Sequence, residues 1–182
     1  MVNKYEITDE THPQNRKLQL IRAIRDITRH GVKAGDLGGW IESEKNLDQE
    51  GDCWIADNAR VFNDARVFDN AWVSDDARVS GNAFVYGDAR VFNDARVSDN
   101  AEVSGYARVY GDTWVSANAR VFGNAWVFDK AWVFGNAQVS DNAQVSGRAW
   151  VHGNAEVYCN AEVSGNDAVS GDERVSLGFP LL

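Results

Sequence analysis

An aliphatic residue recurs every six positions along most of this chain. From Ile55 to Val175 there are 21 such positions, and no insertion or deletion interrupts them. A small residue stands two positions before each aliphatic one except the last two, where Asp167 and Glu173 take its place, and from Ala59 to Ala161 it is always alanine except at Thr113. A constant period of this length predicts a repeat architecture in which one short unit is stacked many times.

Each six-residue unit is typical of a short strand followed by a sharp corner. In residues 89–94, alanine and valine are two positions apart, so both point to one side while Arg90 and Phe92 point to the other. The first corner position is glycine, aspartate or asparagine in nearly every unit, with Ala117 and Cys159 as exceptions. These three residue types adopt positive φ at low cost, so the pattern predicts a chain that turns in the same sense after every strand.

Three units return the chain to its starting side, so 18 residues are expected to form one coil. Successive coils then pair as parallel strands about 4.8 Å apart, and the 21 units predict about seven coils of an all-β parallel β-helix. Valine and alanine fill its interior, and the bulky side chains face outward. Spacing alone does not determine handedness, although the general rule for parallel crossovers favours a right-handed coil.

The unit Ala-x-Val-x-Gly-Asn resembles the hexapeptide repeat of left-handed β-helix proteins, the acyltransferase-like superfamily. This resemblance implies a left-handed parallel β-helix with the shape of a triangular prism. The leader Val32-Lys-Ala-Gly-Asp-Leu-Gly-Gly-Trp-Ile41, with Gly51-Asp-Cys-Trp-Ile55, resembles poorly characterised bacterial and phage proteins that carry the same leader before hexapeptide repeats. Those proteins are often labelled acetyltransferases, a label that mainly reflects the repeat.

Three segments are predicted along the chain. Residues 1–50 do not follow the repeat and are expected to form a small N-terminal cap over the open end of the prism. Within this cap, residues 18–27 are compatible with a strand, which we favour, or with a short helix. Residues 51–176 form the repeat region, and the apolar residues 177–182 are expected to fold over the far end or to dock on a neighbouring subunit.

The six-residue rhythm is also visible before residue 51. Ile41 and Leu47 are six residues apart, whereas Leu47 and Ile55 are eight residues apart. We therefore expect the repeat to begin within the leader, in a register that is offset by two residues from the main run.

Positions 18 residues apart stack on the same face, so outward columns of side chains are read directly from the sequence. One face is predicted to carry Arg60, Arg78, Arg96, Trp114, Trp132 and Trp150, beside Phe134 and His152. A second face is predicted to carry Trp54, Trp72, Arg90, Arg108 and Trp126, beside Phe92, Tyr110 and Phe128.

These columns place more aromatic side chains outward than a monomer usually leaves exposed to water. We predict that at least one aromatic face is a protein interface, in a homo-oligomer (dimer or trimer) or with a host protein. Two alternatives stay open: the ladders only stabilise the coils, or the strip stacks sugar rings. The candidate interface residues are Trp114, Trp132, Trp150, Arg78, Arg96, Trp126, Phe92, Tyr110, Phe128 and Phe134.

The composition argues against several classes of function. The formal net charge of −9, mostly from corner aspartates, argues against a nucleic-acid groove and leaves a polyanion mimic as a minor alternative. Cys53 and Cys159 lie far apart along the rod and are not expected to pair. The sequence has no membrane-spanning run, signal peptide or metal-binding Cys/His cluster, so we predict a cytoplasmic protein without a metal or membrane partner.

The sequence favours a binding protein over an enzyme. The resemblance implies that an acyltransferase of this type is a trimer with a histidine as general base, and among His12, His30 and His152 only His152 lies on the repeat. Uninterrupted units leave no loop on which to build a pocket. We predict a non-catalytic scaffold without cofactor, for which the phage-type resemblance implies a host-directed binder or inhibitor. The alternative is an acyltransferase that uses acetyl-CoA, with His152 as base.

Overall fold

The computed structural model describes residues 3–176, and the apolar segment predicted at residues 177–182 lies outside the described residues. The described chain is a parallel β-solenoid of about eight turns, built from three sheets. The predicted all-β class is confirmed, and two single-turn 3₁₀ helices, Thr28–His30 and Glu44–Asn46, interrupt the strands near the N-terminus. Three sheets fit the predicted triangular coil, and its left hand stays a prediction.

Almost every unit of the repeat contributes one strand of two residues, an outward residue followed by an inward aliphatic one. The N-terminal strands are longer: β1 (Tyr5–His12), β2 (Asn15–Ala23) and β3 (Leu37–Ile41). The repeat strands are β4 (Trp54–Ile55), β5 (Arg60–Val61), β6 (Arg66–Val67), β7 (Trp72–Val73), β8 (Arg78–Val79), β9 (Phe84–Val85), β10 (Arg90–Phe92), β11 (Arg96–Val97), β12 (Glu102–Val103), β13 (Arg108–Tyr110), β14 (Trp114–Val115), β15 (Arg120–Val121), β16 (Trp126–Val127), β17 (Trp132–Val133), β18 (Gln138–Val139), β19 (Gln144–Val145), β20 (Trp150–Val151), β21 (Glu156–Val157), β22 (Glu162–Val163), β23 (Ala168–Val169) and β24 (Arg174–Val175).

Every third strand lies in the same sheet, which defines three faces of the rod. Face 1 has the order β1-β2-β3-β5-β8-β11-β14-β17-β20-β23, face 2 runs from β4 through β7, β10, β13, β16 and β19 to β22, and face 3 runs from β6 through β9, β12, β15, β18 and β21 to β24. Repeat strands on one face pair in parallel with partners 18 residues away, as in the pairing of Arg96 with Trp114. The predicted outward columns are therefore confirmed.

The interior consists of the inward alanines and valines that the period predicts. Every valine of the repeat from Val61 to Val157, and every alanine at the small position from Ala59 to Ala161, has no exposed surface. Each buried valine stabilises the rod by roughly 1.5–3 kcal/mol, so stability accumulates with length. Thr113 occupies one alanine position, and its buried Oγ1 has no hydrogen-bond partner among the described residues.

The corners stack as regularly as the strands. The first corner position has positive φ as predicted, and the geometry holds even at Ala117 (57°) and Cys159 (59°). A ladder of asparagine side chains follows one edge, in which each Nδ2 donates to the Oδ1 of the residue 18 positions later, starting at Asn82. The last rung, Asn154 to Asp172 at 2.9 Å, ends on a carboxylate, which needs only to accept.

The first coil lies partly within residues 1–50, the segment predicted as a cap. Ile41 pairs with Val61 and Leu47 with Val67, and these partners are 20 residues apart instead of 18. The predicted offset of two residues is confirmed, and this additional coil explains why the rod has about eight turns where seven were predicted.

An antiparallel hairpin of β1 and β2 precedes this coil and extends face 1 through β3. Residues 18–23 are strand, so the favoured alternative holds there. The segment also covers Trp54, which faces outward in its column yet is only 1% exposed. A Cβ added at Gly38 would lie 2.6 Å from both Trp54 Cζ2 and Ile21 Cγ1, so a residue without a side chain is required where β3 crosses this ring.

A buried lysine joins the N-terminus to the first coil. Lys4 has no exposed surface, and its Nζ donates to the carbonyl O of Glu50 and to Sγ of Cys53, both at 3.0 Å. Burial raises the pKa of the Cys53 thiol. Cys53 and Cys159 are both free thiols, the first buried and the second exposed.

Candidate functional site

Three tryptophans form a continuous stack on face 1. The ring centroids of Trp114 and Trp132 are 5.0 Å apart with 9° between the ring planes, and those of Trp132 and Trp150 are 5.5 Å apart with 5°. The three rings are 39%, 36% and 46% exposed in chain order. Phe134 and His152 stack beside them with centroids 4.9 Å apart. We call these five residues the aromatic strip.

Arginines continue the same column toward the N-terminus. Arg60, Arg78 and Arg96 lie on adjacent strands, and the Arg96 guanidinium lies 5.1 Å from the Trp114 ring centroid, in cation–π range. Like charges about 4.8 Å apart repel by about 1 kcal/mol in water. None of the three forms an ion pair within residues 3–176. Burial, followed by the charge of Arg78, lowers the pKa of Arg60.

A row of charged corner residues borders this column, and its sign changes along the rod. Beside the arginines the row is acidic, and beside Trp132 and Trp150 it is basic. In chain order the row is Asp76, Asp94, Asp112, Lys130 and Arg148, and all five are exposed. A shallow groove of about 290 Å³ connects the two halves, lined by Asp94, Arg96, Asp112, Trp114, Lys130 and Trp132.

The remaining predicted interface residues lie on face 2. Phe92 and Tyr110 stack with centroids 4.8 Å apart, and Tyr110 and Phe128 stack at 5.2 Å. The Arg108 guanidinium lies 4.9 Å from the ring centroid of Trp126. Burial raises the pKa of Tyr110. The structure therefore brings the ten predicted residues together in two groups on different faces, and not in one patch.

His152, the candidate base under the alternative function, is part of the aromatic strip. Its imidazole packs in parallel on Phe134 and is partly exposed beside Trp150. The ring makes no hydrogen bond to another residue of the described range. A catalytic histidine is usually oriented by a carboxylate or carbonyl that accepts its second N–H, and none of residues 3–176 does this for His152.

A concave site that the sequence analysis missed lies between the 3₁₀ helix Thr28–His30 and face 2. A cavity of about 180 Å³ is lined by Arg29, His30, Asn70, Asp88, Arg90, Tyr106 and Arg108. A second cavity of about 300 Å³ shares Arg29, His30 and Arg90 with it and extends to Trp72. We call the two cavities together the cap cleft.

The cap cleft is basic in a chain that is acidic overall. The His30 ring packs against Trp72 with centroids 4.7 Å apart, and its Nε2–H donates to the carbonyl O of Asn70 at 3.1 Å. Burial, followed by the charges of Arg90 and Arg29, lowers the pKa of His30 and so favours the neutral imidazole. Arg29 forms an ion pair with Asp88.

The sequence contained one sign of the cap cleft, namely two arginines between two tryptophans in the face 2 column. The positions of Arg29 and His30 against that column depend on how the leader folds back, which no local pattern shows. Within residues 3–176, no three or more His, Cys, Asp or Glu side chains are grouped to hold a metal ion. No helix in this range has the length and apolar character needed to cross a membrane.

Comparison with known proteins supports the repeat assignment. The family model described as the YdcK beta solenoid repeat matches residues 83–99 and 137–153. The chain is similar to YdcK-type β-solenoid proteins. The Escherichia coli (strain K12) protein named "Uncharacterized acetyltransferase YdcK" is 38% identical over 79 aligned residues, which cover 38% of this chain.

The similarity to YdcK is partial, because the alignment spans only 24% of that protein's length. The expected resemblance to repeat β-helix proteins labelled as acetyltransferases is confirmed. The second matched segment, residues 137–153, includes Trp150 and His152 of the aromatic strip, and the first, residues 83–99, includes Arg90 of the cap cleft.

Proposed function

We propose that the protein is a rigid, non-catalytic binding scaffold whose face 1 docks against face 1 of a second copy running in the opposite direction. The observation that carries the proposal is the change along this face from arginines bordered by aspartates to tryptophans bordered by basic residues. A contiguous exposed aromatic patch is typical of an interface, and tryptophan and arginine are the residues that most often dominate binding energy there.

The column itself is self-complementary when reversed. Consider a two-fold axis that is perpendicular to the rod and passes between Trp114 and Trp132. It pairs each coil on one side of the axis with the coil of the second copy that lies equally far on the other side. It places Trp114 opposite Trp132 of the second copy and Arg96 opposite Trp150 of the second copy. Arg96, which already contacts the Trp114 ring of its own chain, then gains a second aromatic ring, and this cation–π attraction offsets the repulsion from Arg78. A parallel arrangement about this column would instead place Arg96 against Arg96.

The bordering row of charges favours the same antiparallel arrangement. The same two-fold axis places Asp94 opposite Arg148 of the second copy, and Asp112 opposite Lys130 of the second copy. Each contact occurs twice because the interface is symmetric. Opposite charges across an interface define its register and increase the association rate more than they increase affinity. Aromatic rings thus supply the affinity in this proposal, and the charged row supplies the direction.

We expect Trp132→Ser to weaken self-association by at least about tenfold, because Trp132 lies near the centre of the proposed interface and central tryptophans contribute most to binding. Sedimentation velocity over a range of protein concentrations measures this change. Trp126→Ser is the matched control, since it removes the same side chain from face 2, and it should leave the dimer constant within about twofold.

The direction of docking is tested by exchanging charges. Asp94→Arg and Arg148→Asp should each weaken the dimer, and the double variant should restore it. Failure of this rescue would contradict the antiparallel register. A wild-type chain that sediments as a monomer at every concentration would contradict the whole proposal, and that is the outcome expected if a host protein occupies face 1 instead.

Acyl transfer is a second candidate, favoured by the name of the E. coli relative together with His152 on the strip. Under the scaffold proposal, we expect acetyl-CoA turnover by the purified protein at the rate of the buffer blank, with amines or sugars as acceptors. The reason is that no residue between positions 3 and 176 forms a hydrogen bond with the His152 ring to orient it. A thiol-release assay measures the turnover. Turnover above the blank that disappears in His152→Ala and persists in His12→Ala would overturn the non-catalytic assignment.

A further inference from the structure

The cap cleft contains positive charge that the protein does not neutralise. On face 3, arginines stack beside glutamates, and Arg120–Glu102 and Arg174–Glu156 form ion pairs at 3.3 and 3.1 Å. On face 2, by contrast, Arg90 pairs in register with Arg108. Neither of these two forms an ion pair within residues 3–176. The repeat allows an acid at either position, so the stacked arginines leave two positive charges available to an anion from outside the chain.

The geometry of the first cavity suits a compact anion. Three guanidinium groups, those of Arg29, Arg90 and Arg108, surround it against the single carboxylate of Asp88, which Arg29 already binds. The volume of about 180 Å³ is large enough for several water molecules, which a small anion can displace. A planar guanidinium donates two parallel hydrogen bonds to phosphate oxygens, and a doubly charged phosphate has enough acceptors for Arg90 and Arg108 together.

The second cavity leaves room for an organic group attached to the anion. It shares Arg29, His30 and Arg90 with the first cavity and extends to Trp72, so an organic group attached to the anion has about 300 Å³ beside an aromatic ring in which to lie. The His30 ring, held by its bond to Asn70, lines both cavities beside Arg29 and Arg90, and the Trp72 ring lines the second.

We propose that the cap cleft binds a small phosphate monoester, with the phosphate between Arg90 and Arg108 and the organic part toward Trp72. The site is on face 2, and it is therefore independent of the self-docking proposed for face 1. The net charge of −9 repels anions from the protein as a whole, whereas the positive charge of this cleft attracts them locally.

Isothermal titration calorimetry with glycerol 3-phosphate, at constant ionic strength, tests the proposal. We expect saturable binding to one site per chain, weakened at least about tenfold in the double variant Arg90→Gln/Arg108→Gln, because two charge-assisted contacts are lost. The double variant Arg120→Gln/Arg174→Gln removes the same charge from face 3 and should bind within about twofold of the wild type. Thermal unfolding of both variants checks that the rod is intact.

Three results would overturn the inference. The first is an absence of saturable binding in the millimolar range. The second is an equal loss in both double variants, which would indicate a general effect of charge and no site. The third concerns the organic part of the ligand: inorganic phosphate that binds as tightly as glycerol 3-phosphate would contradict the role assigned to the cavity at Trp72.

Discussion

Val145→Asp is expected to unfold the C-terminal coils of the rod. Val145 has no exposed surface and stacks between Val127 and Val163 in the interior, so a carboxylate there would lie without a partner among aliphatic side chains. Burying an unpaired charge costs several kcal/mol, and in a repeat protein this cost falls on the coils that contact the substituted one. The cost exceeds the roughly 1.5–3 kcal/mol that a buried valine contributes.

The matched control is the adjacent substitution Gln144→Asp, which places the same carboxylate on the outward side of the same strand. Gln144 is partly exposed, and we expect a change in stability within about 0.5 kcal/mol. Limited proteolysis and circular dichroism measure both variants, and cleavage in Val145→Asp should begin in the coils around β19. Equal resistance of the two variants would contradict the inward placement of valine.

Trp54→Ala is expected to lower the free energy of unfolding by about 3–5 kcal/mol, the usual cost of removing a large buried aromatic ring. The side chain of Trp54 is enclosed by the N-terminal segment, and the close approach of Gly38 leaves the surroundings little freedom to collapse into the space. Loss of this contact should also release the β1–β2 hairpin, because the hairpin packs on the first coil through Ile21.

Trp126→Ala is the control for this change, since Trp126 belongs to the same face 2 column but is only partly buried, beneath Arg108. We expect a loss of about 1 kcal/mol, of the size of an exposed cation–π contact. Urea denaturation followed by tryptophan fluorescence and by amide hydrogen exchange separates the hairpin from the rod. Similar losses in the two variants would show that the N-terminal segment does not seal the first coil.

The repeat region shows how much of the fold a strict period determines. Because side chains alternate along a strand and each corner turns in the same sense, alanine and valine positions had to be buried, and residues 18 apart had to stack. The register of Arg96 on Trp114, and of Trp114 on Trp132, therefore followed from counting. Even the two-residue offset before Ile55 was visible, from the spacing of Ile41 and Leu47.

One candidate site could be predicted from the repeat and the other could not. The aromatic strip was predictable residue by residue, because its members are neighbours in the period, whereas its role at an interface stays a prediction. The cap cleft was not predictable, because Arg29 and His30 lie outside the repeat and reach Arg90 only through a turn of the leader. Residues outside the repeat have no constant spacing from the strands, so their contacts cannot be found by counting positions along the sequence.

The amino-acid sequence by itself determined the sheets, the interior and the outward columns, since each depends only on local alternation and on a constant repeat length. Tertiary structure alone decided which outward residues are exposed: Trp54 and Trp114 occupy equivalent positions in their columns, but one is 1% exposed and the other 39%. The difference arises because the aperiodic leader folds back over one end of the rod. Its long-range contacts depend on shape, and no pattern along the chain encodes them.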